Sequence, residues 1–566
     1  RNTFGNGDHL MAGYIGSKAV SVNTTSATIS DDLTVGDDAS VAGDLSVTGD
    51  YSSTTAGTSN LRLGVNAGNS IASGGNYNVT VGDEAGTALT TGDGNVAIGF
   101  EALSTEDAHG NNVAVGYRAL KTLNVGATAY NTAVGNDAGL SMTYGVNNTL
   151  VGGLAGDALT GSADYSGGAN NVAVGRAALG GDTLGSASVA IGFETLLAQN
   201  FTSTTDTYNT AVGYRAGLAV TTGTNNTLIG GLAGDALTDA DSNVAIGYAS
   251  LSTDTLGSRS IAIGHGALNE QNFTSATNTY NVAIGYAAGN VITTGVNNTL
   301  IGAIAGDALT NADHNTAVGR GSLGADTLGS KSTAIGFGAL SSQNFTNSTD
   351  VENVAVGFNA GVSVTTGFKN TIVGGLGYDN LQNGDRNIAI GYDTTSSGVN
   401  DSLAILIGVG ITSGGAGTAR LGNSGGTATL GLDGSDTSWA AASDSRLKKD
   451  VENSTVGLEF IKDLRPVTFK WNAKDAIANT LPQYDADSSD PIYGTGKAHH
   501  GFIAQEVKAV IDSHSDVVNG HNLWSEDPDG TQQVSPSALV PMLTKAVQEL
   551  STALDAALVR IATLEG

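Results

Sequence analysis

A five-residue unit recurs through the middle of this chain and restricts its fold more than any other feature: Asn, Val or Thr, a small or aliphatic residue, Val or Ile, then Gly. Asn95-Val96-Ala97-Ile98-Gly99 and Asn281-Val282-Ala283-Ile284-Gly285 are examples. The closing glycines run from Gly64 to Gly408, usually 17 residues apart. A longer period overlies this one, because Gly213, Gly285 and Gly357 are 72 residues apart, in three steps of 17 and one of 21. The same period puts Ser188, Ser260 and Ser332 where other units have Asn, and places Phe201, Phe273 and Phe345 in the 21-residue steps.

Alternation in Val-Ala-Ile sends the first and third side chains to one face and the second to the other, which describes a short strand. Glycine then turns the chain. One such unit cannot bury its own apolar face, whereas units stacked about 4.8 Å apart share a continuous core and pair each strand with the next. The recurrent Asn is expected to form a ladder along the stack. About twenty units at that rise give a shaft roughly 100 Å long. Composition agrees with a mainly β chain: there are 81 glycines, and aromatics make up only 5%, so the core must be built from small aliphatics.

Charge and composition remove several partner classes. A net charge of −29 opposes binding to nucleic acid, which requires clustered Lys and Arg. With no cysteine there are no disulfides and no thiolate chemistry. No run of about 18 apolar residues predicts membrane insertion. No motif calls for a cofactor, and His499 next to His500 lacks a second ligand cluster at metal-binding spacing, so no metal is expected.

Residues 60 to 410 resemble the head repeats of trimeric autotransporter adhesins, whose Asn/Ser-Val-Ala-Ile-Gly units are similar to those here. The resemblance implies stacked left-handed β-rolls in a three-chain bundle. The shaft is therefore set at 60–430. Upstream, Val35, Val41 and Val47 stand six apart in a shorter repeat, read as a narrow stem over 1–59.

Past residue 430 the repeat gives way to a linker, 431–442, and then to a different composition. Ser443-Asp444-Ser445-Arg446-Leu447-Lys448 is followed by Leu464-Arg465-Pro466-Val467-Thr468-Phe469, by Gly501-Phe502-Ile503-Ala504-Gln505-Glu506, and by Leu539-Val540-Pro541-Met542-Leu543. In that order the blocks resemble the intramolecular, auto-processing chaperone of endosialidase tailspikes and phage tail fibres, over 443–566. Pro536 departs from the pattern, standing near a position where that family often has an aromatic. Within this segment Leu543, Val547, Leu550, Leu554, Ala557, Ile561 and Leu564 alternate by four and three. That heptad seam predicts a coiled coil over 538–565, compatible with three strands. An amphipathic helix packed within one subunit is the competing reading.

The resemblance implies a cut between Ala442 and Ser443 once the fibre has trimerised. It makes Ser443 the nucleophile and Lys448 the general base of a Ser-Lys self-cleaving endopeptidase. Asp444 and Arg446 would brace the motif, and His500 and Gln505 would line the site. A hydroxyl needs a neighbouring base to become nucleophilic, and a desolvated lysine can serve. By themselves, Ser, Lys and Asp at a domain junction form a solvated turn or a helix cap.

The combined expectation is a homotrimeric phage-type tail fibre or tailspike: a β-solenoid shaft with a C-terminal α+β chaperone domain ending in a coiled-coil helix. Its partners would be phage tail or baseplate proteins and a host surface glycan or envelope receptor. It would be assembled in the host cytoplasm and located in the virion. Two alternatives are a bacterial surface adhesin and a polysaccharide-degrading tailspike. The latter needs paired carboxylates; Asp157, Asp235 and Asp307 recur in Ala-Gly-Asp-Ala-Leu-Thr segments, and their repetition reads as a turn. Phe201, Phe273 and Phe345 could contact a receptor or pack beneath a loop.

Overall fold

The computed structural model describes residues 56–432, 440–441, 445, 448–479, 481, 483–493, 496–517, 523–527 and 530–566. The proposed stem repeat, with Val35, Val41 and Val47, lies outside them. The chain divides into two compact units, the first ending at Ala441 and the second spanning Ala442–Gly566.

In the first unit the repeat folds as a β-solenoid. Three-residue strands, beginning with Leu61–Leu63 and Val79–Val81, pair in parallel, in register and in chain order up to Ile388–Ile390 and Ile405–Val409. They belong to one 23-stranded sheet. The closing glycine of each coil is required twice over. Gly230, for example, has φ +137°, and an added Cβ would lie 2.4 Å from the Gly247 carbonyl oxygen. Only glycine tolerates both the angle and the approach.

The middle strand residue points inward. Ala97, Ala211 and Ala283 are fully buried, as are Leu150, Leu228 and Leu300 at the same position in other coils. Leucines at the corners fill the rest, including Leu120, Leu196 and Leu268. Each leaves no room for a side chain at the neighbouring corner: a Cβ on Gly217 would meet Leu228 at 2.7 Å and Leu196 at 2.8 Å. Large and small residues therefore interlock between successive coils.

The asparagines form the expected ladder in a specific way. Each Oδ1 accepts the backbone N–H of the next ladder residue, as in Asn95 to Asn78 (2.8 Å), Asn226 to Asn209 (2.9 Å) and Asn243 to Asn226 (3.0 Å). Nδ2 meanwhile donates to a carbonyl 14 residues on, Asn78 to Gly92 and Asn226 to Ala240, both at 2.8 Å. One amide thus ties a coil to its neighbour and closes the coil on itself.

Where serine replaces asparagine, a buried network takes over. Gln199 Nε2 donates to Ser188 Oγ (2.9 Å) and Asp182 Oδ2 (2.6 Å), while its Oε1 accepts Asn209 Nδ2 (2.9 Å). Asp182 Oδ1 accepts the N–H groups of Gly185 and Phe201. Gln271 with Asp254, Ser260 and Asn281 repeats the arrangement, as does Gln343 with Asp326, Ser332 and Asn353. The extra residues of the 21-residue coils also add a second short parallel pairing, such as Gly185–Ser186 with Thr205–Asp206.

The solenoid ends with a change of direction. Thr418–Asn423 still pairs in parallel, but Gly426–Gly431 and Ala440–Ala441 follow antiparallel. Nearby, Asp401 Oδ2 accepts the hydroxyls of Ser396, Ser397 and Ser413 and the N–H groups of Ser397 and Gly398.

The second unit is α+β. Helix α1 (Leu458–Asp463), α2 (Ala504–Ser513) and α3 (Leu539–Glu565) accompany two antiparallel strand pairs, Val467–Phe469 with His499–Gly501 and Trp524–Glu526 with Gln532–Val534. Phe460, Val507, Val517, Leu523, Leu539 and Met542 form its core.

Two outcomes follow. Asn226→Ala leaves the Asn243 N–H and the Ala240 carbonyl without their partner, so local opening of those coils should become easier by about 1–3 kcal/mol, measurable by native-state hydrogen exchange. Burial alone would raise the Asp401 carboxyl, but its hydroxyl and N–H donors outweigh burial and hold it below the usual range. A depressed folded value means the stabilisation is present above about pH 4, the ordinary Asp value, and is lost as pH falls through the folded value. Wild type should therefore lose protection around residues 396–413 in acid, and Asp401→Asn should flatten that dependence.

Candidate functional site

The second unit gathers its sequence motifs by pairing strands and one ion pair. Val467–Phe469, from the Leu-Arg-Pro block, lies antiparallel to His499–Gly501, with Thr468 opposite His500. Arg465 then reaches Glu506 in the Gly-Phe-Ile-Ala-Gln-Glu block as a two-pronged fork, Nε to Oε2 at 2.9 Å and a guanidinium N–H to Oε1. The Arg465 hydrogen bond holds the Glu506 carboxyl below its ordinary range. A planar guanidinium fixes both distance and orientation, which a lysine would not.

Between these segments lies a groove of about 890 Å³. Phe469, Trp471, Tyr493 and Phe502 give it an aromatic lining, and His500 and Gln505 contribute polar groups. The Trp471 ring meets Phe469 and Tyr493 edge-on, at 5.2 and 4.9 Å between centroids. Pro536 also lines the groove and begins the short 3-10 turn before α3, where its missing N–H is no loss. Lys448 is exposed, is not among the groove-lining residues, and closes a turn from its N–H to the Ser445 carbonyl at 3.2 Å. Ala442, Ser443, Asp444 and Arg446 lie outside the described residues. Of the predicted site, the structure thus brings His500 and Gln505 together and shows Lys448 on a surface turn.

Helix α3 is anchored only along its first half. Leu539, Met542 and Ala546 are buried, and Glu549 accepts the N–H of Leu458 at 2.8 Å, capping α1. Gly457 makes that approach possible, since a Cβ there would sit 2.3 Å from the Glu549 carboxylate. Beyond Glu549 every residue of the helix is exposed. The heptad seam is exposed with it, Leu550 at 56%, Leu554 at 58% and Ile561 at 48%.

Residues 443–516 match the model of the Peptidase_S74 family, described as Chaperone of endosialidase. The second unit therefore carries a chaperone-of-endosialidase domain. Together with the β-solenoid before it, this domain fits a tailspike or tail fibre that ends in a chaperone. No curated protein and no solved structure matches the chain.

The shaft answers two other expectations. Phe201, Phe273 and Phe345 are only 6%, 7% and 8% exposed, and their N–H groups are held by Asp182, Asp254 and Asp326. Rings packed this way cannot offer their faces to a receptor, so they serve the 21-residue coils. Asp157, Asp235 and Asp307 are each half-buried, with carboxyls pushed up by desolvation. An added Cβ on Gly180 or Gly324 would lie 3.1 or 3.4 Å from the Asp157 or Asp307 carboxylate, so those two side chains lie against the following coil.

Among the described residues one group, Glu106, Asp107 and His109, has the spacing to hold a metal. Its buried member, Glu106, already accepts the N–H groups of His109 and Val125, which makes it a turn clasp.

Two exposed features were not foreseen. The first and third strand positions face outward, and from Leu61 to Ile407 none of them is charged. Ile98, Ile229, Ile301 and Ile390 are 36–41% exposed. Alternation showed that these residues share a face but not that it is the outer one. The residue after each closing glycine is often aromatic, and these rings stack from coil to coil. That column was present in the sequence and could have been found by aligning coils one position past the glycine.

Proposed function

We propose that this chain is a subunit of a homotrimeric tail fibre or tailspike that attaches to a bacterial envelope, and that its C-terminal domain assembles the trimer and then cuts itself off. The match beginning at Ser443 is the observation that carries the reading.

Two features support association. The outer strand face is uncharged although the chain carries a net charge of −29. A strip roughly 90 Å long and about 10 Å wide offers on the order of 900 Å² per chain, close to the ~800 Å² each partner contributes to a standard interface. The uncovered half of α3 adds a heptad seam whose Leu, Val and Ile suit a coiled coil.

The cleavage chemistry is an acyl transfer. The Ser443 hydroxyl attacks the Ala442 carbonyl carbon, the amide nitrogen of Ser443 leaves with a proton, and the resulting ester is cleaved by water. Lys448 takes the hydroxyl proton. A lysine works as a base once its ammonium is desolvated, yet Lys448 is exposed in the single chain. Cleavage on this reading waits for assembly to cover it.

Freshly assembled wild type should give two fragments by intact mass, cut between Ala442 and Ser443, while Ser443→Ala and Lys448→Met give one full-length chain. Full-length product from wild type, or equal cutting in Ser443→Ala, would sink the cleavage reading. Leu554→Asp with Ile561→Asp should reduce trimer yield at least tenfold by analytical ultracentrifugation, and leave the uncut chain monomeric or aggregated.

A further inference from the structure

The column of residues following the closing glycines has a 72-residue rhythm of its own. It reads Arg176, Phe193, Tyr214, Gly231, then Tyr248, His265, Tyr286, Ala303, then Arg320, Phe337, Phe358, Gly375, then Tyr392. Within each group the rings stack with centroids 5.3–5.6 Å apart and planes within 30° of parallel. Each stack is interrupted at the fourth coil by a small residue. At these interruptions Tyr214 and Tyr248 flank Gly231, and Phe358 and Tyr392 flank Gly375; these four rings are 52–56% exposed.

Nothing in the backbone requires glycine at 231 or 375. Neither has a left-handed φ, and an added Cβ would come no nearer than 3.5 Å to Tyr248 or Tyr392, an ordinary contact. The closing glycines beside them differ, since their angle and packing forbid any side chain. An aromatic at 231 or 375 would simply continue the stack, as it does in other coils. Its absence leaves an open notch between ring faces two coils apart, about 9.6 Å at the rise of paired strands. Stacked rings sit with centroids 4.5–7 Å apart, so the notch has room for one flat ring between the two faces.

We propose that this aromatic column is a polysaccharide-binding surface, with pyranose rings seated in the notches at Gly231 and Gly375. The two notches are eight coils apart, about 38 Å, which favours a polymer that engages both at once over a single sugar. Electrostatics select the class. No Asp or Glu occupies the column from Phe100 to Tyr392, while the chain as a whole carries −29. Arg176 and Arg215 are already paired with Glu194, and Arg320 lies over the Phe337 ring. A polyanion would be repelled by the chain and find these cations engaged, so the ligand is an uncharged hexopyranose polymer. The proposal rests on the attachment reading above and assigns it a surface.

The test uses the assembled full-length chain, run through native gels containing dextran, galactomannan or mixed-linkage β-glucan, with alginate and hyaluronan as acidic counterparts. Retardation by at least one neutral polymer and by neither acid is expected. Gly231→Tyr with Gly375→Tyr, which fills two notches, should weaken that retardation at least tenfold with oligomeric mass unchanged; Tyr248→Ser with Tyr392→Ser should do the same. No retardation by any neutral polymer, retardation by the acids alone, or undiminished binding by the filled variant would each overturn the proposal. Loss of the oligomer in the filled variant would also overturn it, by assigning the column to a subunit interface. Adsorption to bacterial cells that survives in both variants would reject this surface and leave the attachment reading standing.

Discussion

The shaft depends on one side-chain amide used twice. Each ladder asparagine is buried, so neither its carbonyl nor its NH₂ could go unpaired without penalty. The solenoid gives Oδ1 to the next coil and Nδ2 to the far side of its own coil. A coil is therefore completed only by its neighbours, and stability accrues by nearest-neighbour contacts. The ends are where such an arrangement is exposed to fraying. At the C-terminal end Asn387 Oδ1 is met by the Ala404 N–H, a ladder position with no polar side chain to pass the link on. The Asp401 hydroxyl cluster beside it supplies other donors, and after one further parallel pairing the antiparallel strands turn the sheet edge.

Repetition solves the folding of one chain and creates a problem between chains. Outer strand positions that are all Val, Ile, Leu or Thr present nearly the same surface at every coil. Such a face attracts another copy without specifying which coil meets which, because it holds no charge to penalise a slip. Register in the proposed trimer must come from elsewhere. A heptad seam on α3, confined to one end and anchored to its own domain by Glu549 and Leu539, would supply a single starting point. On the proposed reading the chaperone domain would be the counterpart of the repeat: the more uniform the shaft, the greater its need for a separate element that sets alignment before non-local β pairing begins.

What was legible in the sequence follows from which residues have only one physical explanation. The coil length and stacking could be read because a left-handed turn beneath a neighbouring carbonyl admits only glycine, so the period is written in Gly230 and its equivalents. The motif blocks were legible only through their order and their resemblance to a known chaperone; the Arg465–Glu506 fork, which ties two of them, could not be read from the sequence. The outward direction of the Val and Ile columns could not, since alternation is symmetrical between inside and outside. Phe201, Phe273 and Phe345 were ambiguous for a related reason: an aromatic beside Gln and Asn describes a sugar platform and a buried corner equally well. The deciding fact is the Asp182 carboxylate 19 residues earlier, which holds the Phe201 N–H from within the coil.

The proposed cleavage raises a different question, namely how such a cut would be delayed until assembly is complete. In the single chain Lys448 and the half of α3 beyond Glu549 are both exposed to water. Association would change both through one physical variable, removal of water. Burying the seam releases apolar surface from solvent, and covering a lysine favours its neutral form, the form that accepts a proton. A serine nucleophile next to such a base would be inactive in water and active once enclosed, with no separate switch. Hydrolysis of the resulting ester would make the step irreversible in the cell. Cleavage would then record that three chains had come together, and the shaft, joined by its own hydrogen bonds and apolar faces, would no longer require the element that aligned it.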